Sequence, residues 1–441
     1  MTRKQVGVVG VAPVPLATIE KGWKLPGVRL ALLARVLPAS FLLVGVVLFL
    51  TRLPRVLLSN LWAEDGTVFY AQAYNINGLY ALLIPHTGYL QSFGRLESAL
   101  AVNFPVAWAP RFATGASLLA DVLPGAVFVS DRFRQVVPSR AMRVLLALAT
   151  IALPGSYEVN GNLANSQWHL ALLGFVLLLA APRTRLGHLL DLVALAVVGL
   201  SGPFCLLLLP VALVLAWKRG RWLWPRIAVL AACVAAQALV YITHRGQRPA
   251  SNLGASGDLL VRILDRPLLV PILGTHSYLD LVHLAVWREL WLPLATVVVG
   301  AGLLAYALWR GPLELRLLFW LATGVMIFTL FGSLALPDRT AWSVLADVTV
   351  QFRYFYIPGV VWLVTLIWAV SQTRVVPLRA LALGLLVAGL LIGIPRDWQY
   401  GAQSDTGFRA AAQHFDRSPP GTVATLPIAP HPWTMTLRKR Q

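Results

Sequence analysis

Charge is what this sequence has least of. Only 12% of its 441 residues are charged, against about a quarter in a soluble domain, so an ordinary soluble fold is excluded. Acidic residues are the scarcest of all: 18 Asp and Glu face 37 Lys and Arg, for a formal charge of +19. That excess would suit nucleic acid if it were gathered on a polar domain with interleaved aromatics. The basic residues lie instead between apolar blocks, which excludes a nucleic-acid partner. Cysteine is nearly absent. Cys205 and Cys233 both sit inside apolar blocks, where small thiols pack as hydrophobes, so neither a disulfide nor a thiolate metal site is expected. The first apolar run begins near residue 31 and ends without a small-residue cleavage site; it is expected to stay as a helix rather than leave as a signal peptide. No inverted repeat of the transporter kind is found.

What is abundant is apolar sequence. It fills 58% of the positions, with a mean hydropathy of +0.70. The runs approach or reach the roughly 20 helical residues that cross a hydrocarbon layer of about 30 Å. Stretches such as FLLVGVVLFL and CLLLLPVALVLAW do not alternate polar with apolar, so they predict helices rather than barrel strands. The blocks are 31–52, 96–130, 144–153, 169–182, 187–200, 204–217, 227–243, 291–309, 317–335, 358–372 and 380–395, the second interrupted at Pro110-Arg111. They predict an all-α polytopic membrane protein with about 11 transmembrane helices, some short, tilted or re-entrant.

The connections alternate in kind. DRFRQVVPSRAMR, PRTR, KRGRWLWPR, WRGPLELR and TRVVPLR are short and basic, like the N-terminal stretch with Lys21, Lys24 and Arg29. These are expected on the cytoplasmic side. Residues 53–95, 154–168, 244–290, 336–357 and the tail from 396 are richer in Asp, Glu, His, Asn, Gln and Tyr, and are expected outside. The chain thus divides into a cytoplasmic segment 1–30, a transmembrane domain 31–395 and an extracytoplasmic tail 396–441, where GTVATLPIAPHPWTMTL predicts a small extended cap. The preference for arginine over lysine suits a high-GC bacterial genome, and a bacterial plasma membrane is the expected location.

Versatile side chains concentrate in the outer set, so function is sought there. In LSNLWAEDGTVFYAQAY, Glu64 and Asp65 stand together directly after the first apolar run. Val68, Phe69, Ala73, Ile76 and Tyr80 recur at helical spacing and predict a surface-lying helix from about Thr67 to Asn77, aromatics inward, ended by Gly78. On the plainer account Asp65 is the N-cap of that helix and Glu64 a solvated neighbour favoured by its dipole. On the functional account the pair forms a site with His86, Tyr89 and Arg95 of the same loop. SYEVNGNLANSQWHL brings Glu158, Asn160, Asn162, Asn165, Gln167, Trp168 and His169; amides beside an aromatic suit a sugar, or a hydrated turn with Trp168 at the interface. In QFRYFYIPG, Arg353 runs against the charge trend and needs an anionic partner, either a protein carboxylate or a lipid phosphate. Tyr354 and Tyr356 fit an aromatic belt or a polyprenyl-phosphate headgroup site. Ser201-Gly202-Pro203 predicts a tight structural turn. His276, Asp280, His283, Arg288 and Glu289 match no zinc spacing.

The acidic pair Glu64-Asp65 in the first outer loop, a surface-lying helix after it and about ten further crossings together resemble the GT-C superfamily of polytopic glycosyltransferases. NSQWHL, SGPF and RYFYIPG also look like segments of bacterial membrane proteins grouped with that superfamily. The large soluble C-terminal domain of some members has no counterpart in 396–441. The resemblance implies transfer of a sugar from a polyprenyl-phosphate donor to a glycan, lipid or protein acceptor at the outer face. By position, Asp65 would be the base, with Glu64 orienting it or helping to hold a divalent ion such as Mg or Mn. Arg353, with Arg95 or Arg339 as alternatives, would face the donor phosphate, and Glu158, Asn162, Gln167 and Trp168 would contact sugar. His86, Tyr89, Tyr354 and Tyr356 complete the candidate substrate site.

A transporter or flippase of lipid-linked sugars is the main rival. It would place ionisable residues at mid-membrane depth in broken helices, whereas most blocks here are purely aliphatic. A non-catalytic scaffold for envelope assembly is the third reading, with the acidic pair only a cap.

Overall fold

The computed structural model describes residues 27–244, 252–332 and 338–440, with side chains from residue 37 onward. Lys21, Lys24 and most of the segment 1–30 lie outside the described residues, as do 245–251 and 333–337. Six of the described helices are long and apolar enough to cross a membrane: Val106–Val129, Arg221–Thr243, Trp291–Arg310, Leu313–Gly332, Phe352–Gln372 and Val376–Asp397. Leu37–Arg52 and Gln167–Leu179 are shorter apolar helices. The protein is therefore a helical membrane protein. Three further blocks become Arg140–Ala152, Arg185–Gly199 and Cys205–Arg219, of 13, 15 and 15 residues. At 1.5 Å per residue these reach only about 20–23 Å, less than a hydrocarbon layer of about 30 Å.

The block 96–130 is indeed two pieces, Ser92–Ala101 and Val106–Val129. The break falls at Asn103-Phe104-Pro105 rather than at Pro110-Arg111, because Pro110 occupies the first helical turn, where its missing N–H has no partner to lose. Gln167–Leu179 is apolar on every side and buried from Trp168 onward. Such a helix belongs at the centre of a bundle; Ala109–Val129, Arg185–Gly199 and Cys205–Arg219 pack around it. Cys205 and Cys233 are free and buried.

The segment 244–290 is more than a loop. Gly257–Leu281 is a helix packed against Trp291–Arg310 and Tyr356–Gln372, broken at Gly274. Gly274 has φ +78°, and a Cβ there would stand 2.9 Å from an Asp397 oxygen. Glycine is required there by backbone and neighbour alike.

Three of the basic connections gather beyond the Val129 end of the helix Val106–Val129, and the tail lies at its other end. Just beyond Val129, Asp131 takes Arg143 at 3.1 Å, with Arg140 and Arg183 each at 3.9 Å. Asp191 takes Arg132 and Arg226, both at 2.5 Å, and Arg219 pairs with Glu314. Beside Val106 lies the tail, whose Asp416 accepts the backbone N–H groups of Val106 and Ala107. The tail carries the expected extended cap, an antiparallel hairpin of Val423–Pro427 with Thr434–Arg438. It also carries a helix, Phe408–Arg417, whose Phe408, Ala412 and Phe415 are buried at i, i+4 and i+7. This helix and hairpin share a core with Leu61, Phe69, Tyr70, Ala73 and Tyr74 of the first loop. Ser201-Gly202-Pro203 forms the expected turn and also holds the first loop: Ser201 Oγ accepts the N–H of Phe93 at 2.9 Å.

Candidate functional site

The acidic pair opens a π-helical turn, Asp65–Tyr70, that continues as Ala71–Asn75. Gly78 does not end this helix. Asn77 accepts the N–H groups of Leu79 and Tyr80 and so caps a new turn, Gly78–Ala81. Phe69, Tyr70, Ala73 and Tyr74 point inward, but Ile76 and Tyr80 are exposed, because the change of direction at Asn77 ends the periodicity that linked them. The residues before the turn are set by the tail. Ala63 donates to the Ala429 carbonyl at 2.5 Å and Ala429 donates to that of Leu61 at 2.9 Å. Gly66 is glycine because Ile428 approaches it: an added Cβ would stand 2.8 Å from an Ile428 methyl.

Asp65 is not an N-cap. Its carboxylate points away from its own helix and accepts the backbone N–H groups of Leu163, at 3.1 Å, and Ala164, at 2.8 Å. It is one of three buried aspartates that grip the same stretch of chain. Asp121 accepts the N–H of Gly161 at 2.8 Å, and Asp397 that of Gly155 at 2.9 Å. The segment 154–168 cannot meet these donors as a helix would, and each is answered by a carboxylate from a different element. Asp397 also accepts the N–H of Thr275 at 2.8 Å, at the break beside Gly274.

Beneath the loop lies a string of buried polar groups. His169 sits 3.4 Å from Asp121 and bonds Asn160 at 2.8 Å and the Tyr356 hydroxyl at 2.9 Å. Asn160 reaches Ser156 and Tyr400. Arg52 donates to the carbonyls of Ile151, Leu153, Asp397 and Trp398 and lies 4.9 Å from the Tyr400 ring centre. Tyr356, expected at a headgroup site, belongs to this string and is 2% exposed. A tyrosine hydroxyl buried beside a histidine is satisfied there and has no route to a lipid phosphate.

Glu64 behaves oppositely to its neighbour. It is half-buried, its side chain makes no hydrogen bond among the described residues, and it acts electrostatically on His86 and on Arg353. Burial lowers the His86 pKa, an effect that Glu64 opposes. Arg353 has a protein carboxylate as its partner. Glu158 accepts its backbone N–H at 3.1 Å and its guanidinium at 3.2 Å. Arg353 lies 4.9 Å from the Tyr354 ring centre, and Tyr354 meets Trp168 edge-on at 5.5 Å. Gln167 donates to Ala164, and Asn162 accepts from Asn165. Trp168 and Asn162 are buried, whereas Gln167, Asn165 and Tyr354 are partly open. The structure thus brings Glu64, His86, Glu158, Arg353, Tyr354 and Trp168 to one region.

Other candidates are placed elsewhere. Arg95 is 1% exposed, donates to Gln72 at 2.6 Å and lies beside the Phe69 ring, which withdraws it from any external phosphate. Arg339 pairs with Asp347 at 2.7 Å. Tyr89 pairs its backbone with His86. His276 bonds Asp397 and Asp280 bonds Arg396. Among the described residues, no three His, Cys, Asp or Glu side chains converge as a metal site. No family model, curated protein or solved structure matches the chain.

Burial pushes Asp65 from its ordinary 3.8 up to about 7, and Glu97 nearby up to about 8. A carboxyl raised in the folded state binds more protons there than in the unfolded chain, so stability falls as pH rises through the interval between the two values. For Asp65 that window runs from about pH 4 to about pH 7. The detergent-solubilised protein should melt lower at pH 8 than at pH 5, and Asp65→Asn should narrow the difference. An unchanged difference in the variant would place the titration elsewhere.

Proposed function

We propose that the chain is a membrane glycosyltransferase that moves a sugar from a polyprenyl-phosphate-linked donor to an envelope glycan, lipid or protein acceptor at the extracytoplasmic face. The observation that carries this reading is Glu64, a partly open carboxylate whose side chain has no hydrogen bond among the described residues and which lies within electrostatic reach of His86 and Arg353. In such a transfer an acceptor hydroxyl attacks the anomeric carbon as the bond from that carbon to the phosphate oxygen breaks. The base takes the hydroxyl proton, and the lipid phosphate leaves with the bonding electrons.

The geometry favours exchanging the two acidic roles. Asp65 is 3% exposed and both its oxygens hold backbone N–H groups, so it positions the second loop. Glu64 is the group within reach of an acceptor and serves as the base. Arg353, 31% exposed at its side chain, offsets the charge that develops on the phosphate while Glu158 holds it in place. Gln167, Asn165 and Tyr354 supply the mixed amide and ring surface a sugar needs. A divalent ion finds only one free carboxylate in the pair, so these residues do not fit a dedicated Mg or Mn site, and no step above uses one.

The flippase reading draws on the ionisable groups inside the bundle, Asp121, His169 and Arg52. All three are at most 1% exposed and bound to neighbours, which suits bracing better than passage. The test is direct: membranes containing the protein, given a radiolabelled polyprenyl-phosphate sugar, should transfer label to an envelope acceptor. Label that only crosses the bilayer unchanged would favour the flippase. Arg353→Ala should raise the KM for donor about tenfold with a smaller change for acceptor; equal changes would remove the phosphate assignment.

A further inference from the structure

The first-loop helices and the tail enclose a groove of about 1020 Å³ whose lining shares no residue with the site above. One wall is apolar, built from Leu79, Leu82, Leu96 and Leu100. Leu79 is 76% and Leu100 67% exposed. Arg438, Lys439 and Arg440 also line the groove, and no Asp or Glu among the described residues does. The three cations are held differently. Arg440 donates to the carbonyls of Ala73 and Tyr74, and Lys439 to that of Asp416. Arg438 gives its backbone N–H to Asn75 at 2.9 Å, while its side chain is exposed and has no hydrogen bond among the described residues. Strand alternation explains this: Met435 and Leu437 face the core, so Arg438 faces out. The leucine wall is accompanied by exposed Ile76, Leu83 and Phe104, and by Trp108 with Arg111 beside its ring, a composition usual where protein meets headgroups.

We propose that this groove binds an anionic phospholipid of the surrounding bilayer, its acyl chain along the leucine wall and its phosphate on Arg438. A cation whose side chain has no hydrogen bond among the described residues, opposite an apolar wall, matches an amphiphile whose headgroup is negative. Occupancy would tie the first loop and the tail, which together position Glu64 and Asp65, to the membrane surface. The site stands independently of sugar transfer.

The test is native mass spectrometry of the full chain in detergent, incubated with phosphatidylglycerol or with phosphatidylcholine. Phosphatidylglycerol should be retained in preference, and Arg438→Glu should cut its retention about tenfold. Leu79→Ser, a change at an exposed position that leaves every cation in place, should weaken retention as well. Equal retention of the neutral lipid would overturn the proposal. So would retention unaltered in both variants, or displacement of the lipid by inorganic phosphate, which would mark the site as one for the free anion.

Discussion

Glu64→Gln is expected to slow sugar transfer by at least about a hundredfold while leaving the melting temperature unchanged. A positioned general base contributes roughly 10²–10⁴ to rate, and glutamine keeps the shape of glutamate but cannot take a proton at neutral pH. No hydrogen bond is lost by the change among the described residues, so the fold has little reason to respond. Asp65→Asn is the informative contrast. The amide offers one acceptor to two backbone donors, and its own N–H₂ would face Leu163 or Ala164. That variant should melt lower and lose activity only as far as the second loop shifts. Radiolabel transfer and thermal melting on both proteins separate the roles. Full transfer by Glu64→Gln, with loss confined to Asp65→Asn, would return the base to Asp65.

Much of this architecture was legible because membrane insertion writes it into local sequence. Blocks of apolar residues must satisfy their own backbone groups, so they are helices whatever their neighbours. Two of the polar connections also meet, joined by the Glu158–Arg353 pair across 195 residues. What local rules missed depends on partners far along the chain. An Asp before a helix reads as a cap, and only a loop 98 residues later redirects it. Tyr356 and Arg95 read as headgroup contacts because their spacing near an interface fits; packing against His169 and Phe69 decides otherwise. The helix Phe408–Arg417 carries a readable signal in Phe408, Ala412 and Phe415, at i, i+4 and i+7. The scarcity of acidic residues carried more meaning than the pair alone: three of the 18 hold a single loop.

Asp397→Ala tests that arrangement where it is most demanding. The substitution removes the acceptor for the N–H groups of Gly155 and Thr275, both buried, and leaves no side chain able to replace it. An unsatisfied buried donor costs about 1–3 kcal/mol, so the pair should cost about 3 kcal/mol or more. The melting temperature should fall by roughly 5 °C. The effect should also reach the site. Gly155 begins the loop that carries Glu158, and Glu158 holds Arg353; loosening the first frees the last. Asp397→Asn, which keeps one acceptor, should lie between the variant and the wild type. Because Asp65 grips the other end of the same loop, the double variant Asp65→Asn, Asp397→Ala should lose less stability than the two single losses added together, since a loop already released at one end has less left to lose at the other. Additive losses, with donor KM untouched by Asp397→Ala, would mean that the two aspartates hold independent turns and that the loop does not transmit position from its start to Arg353.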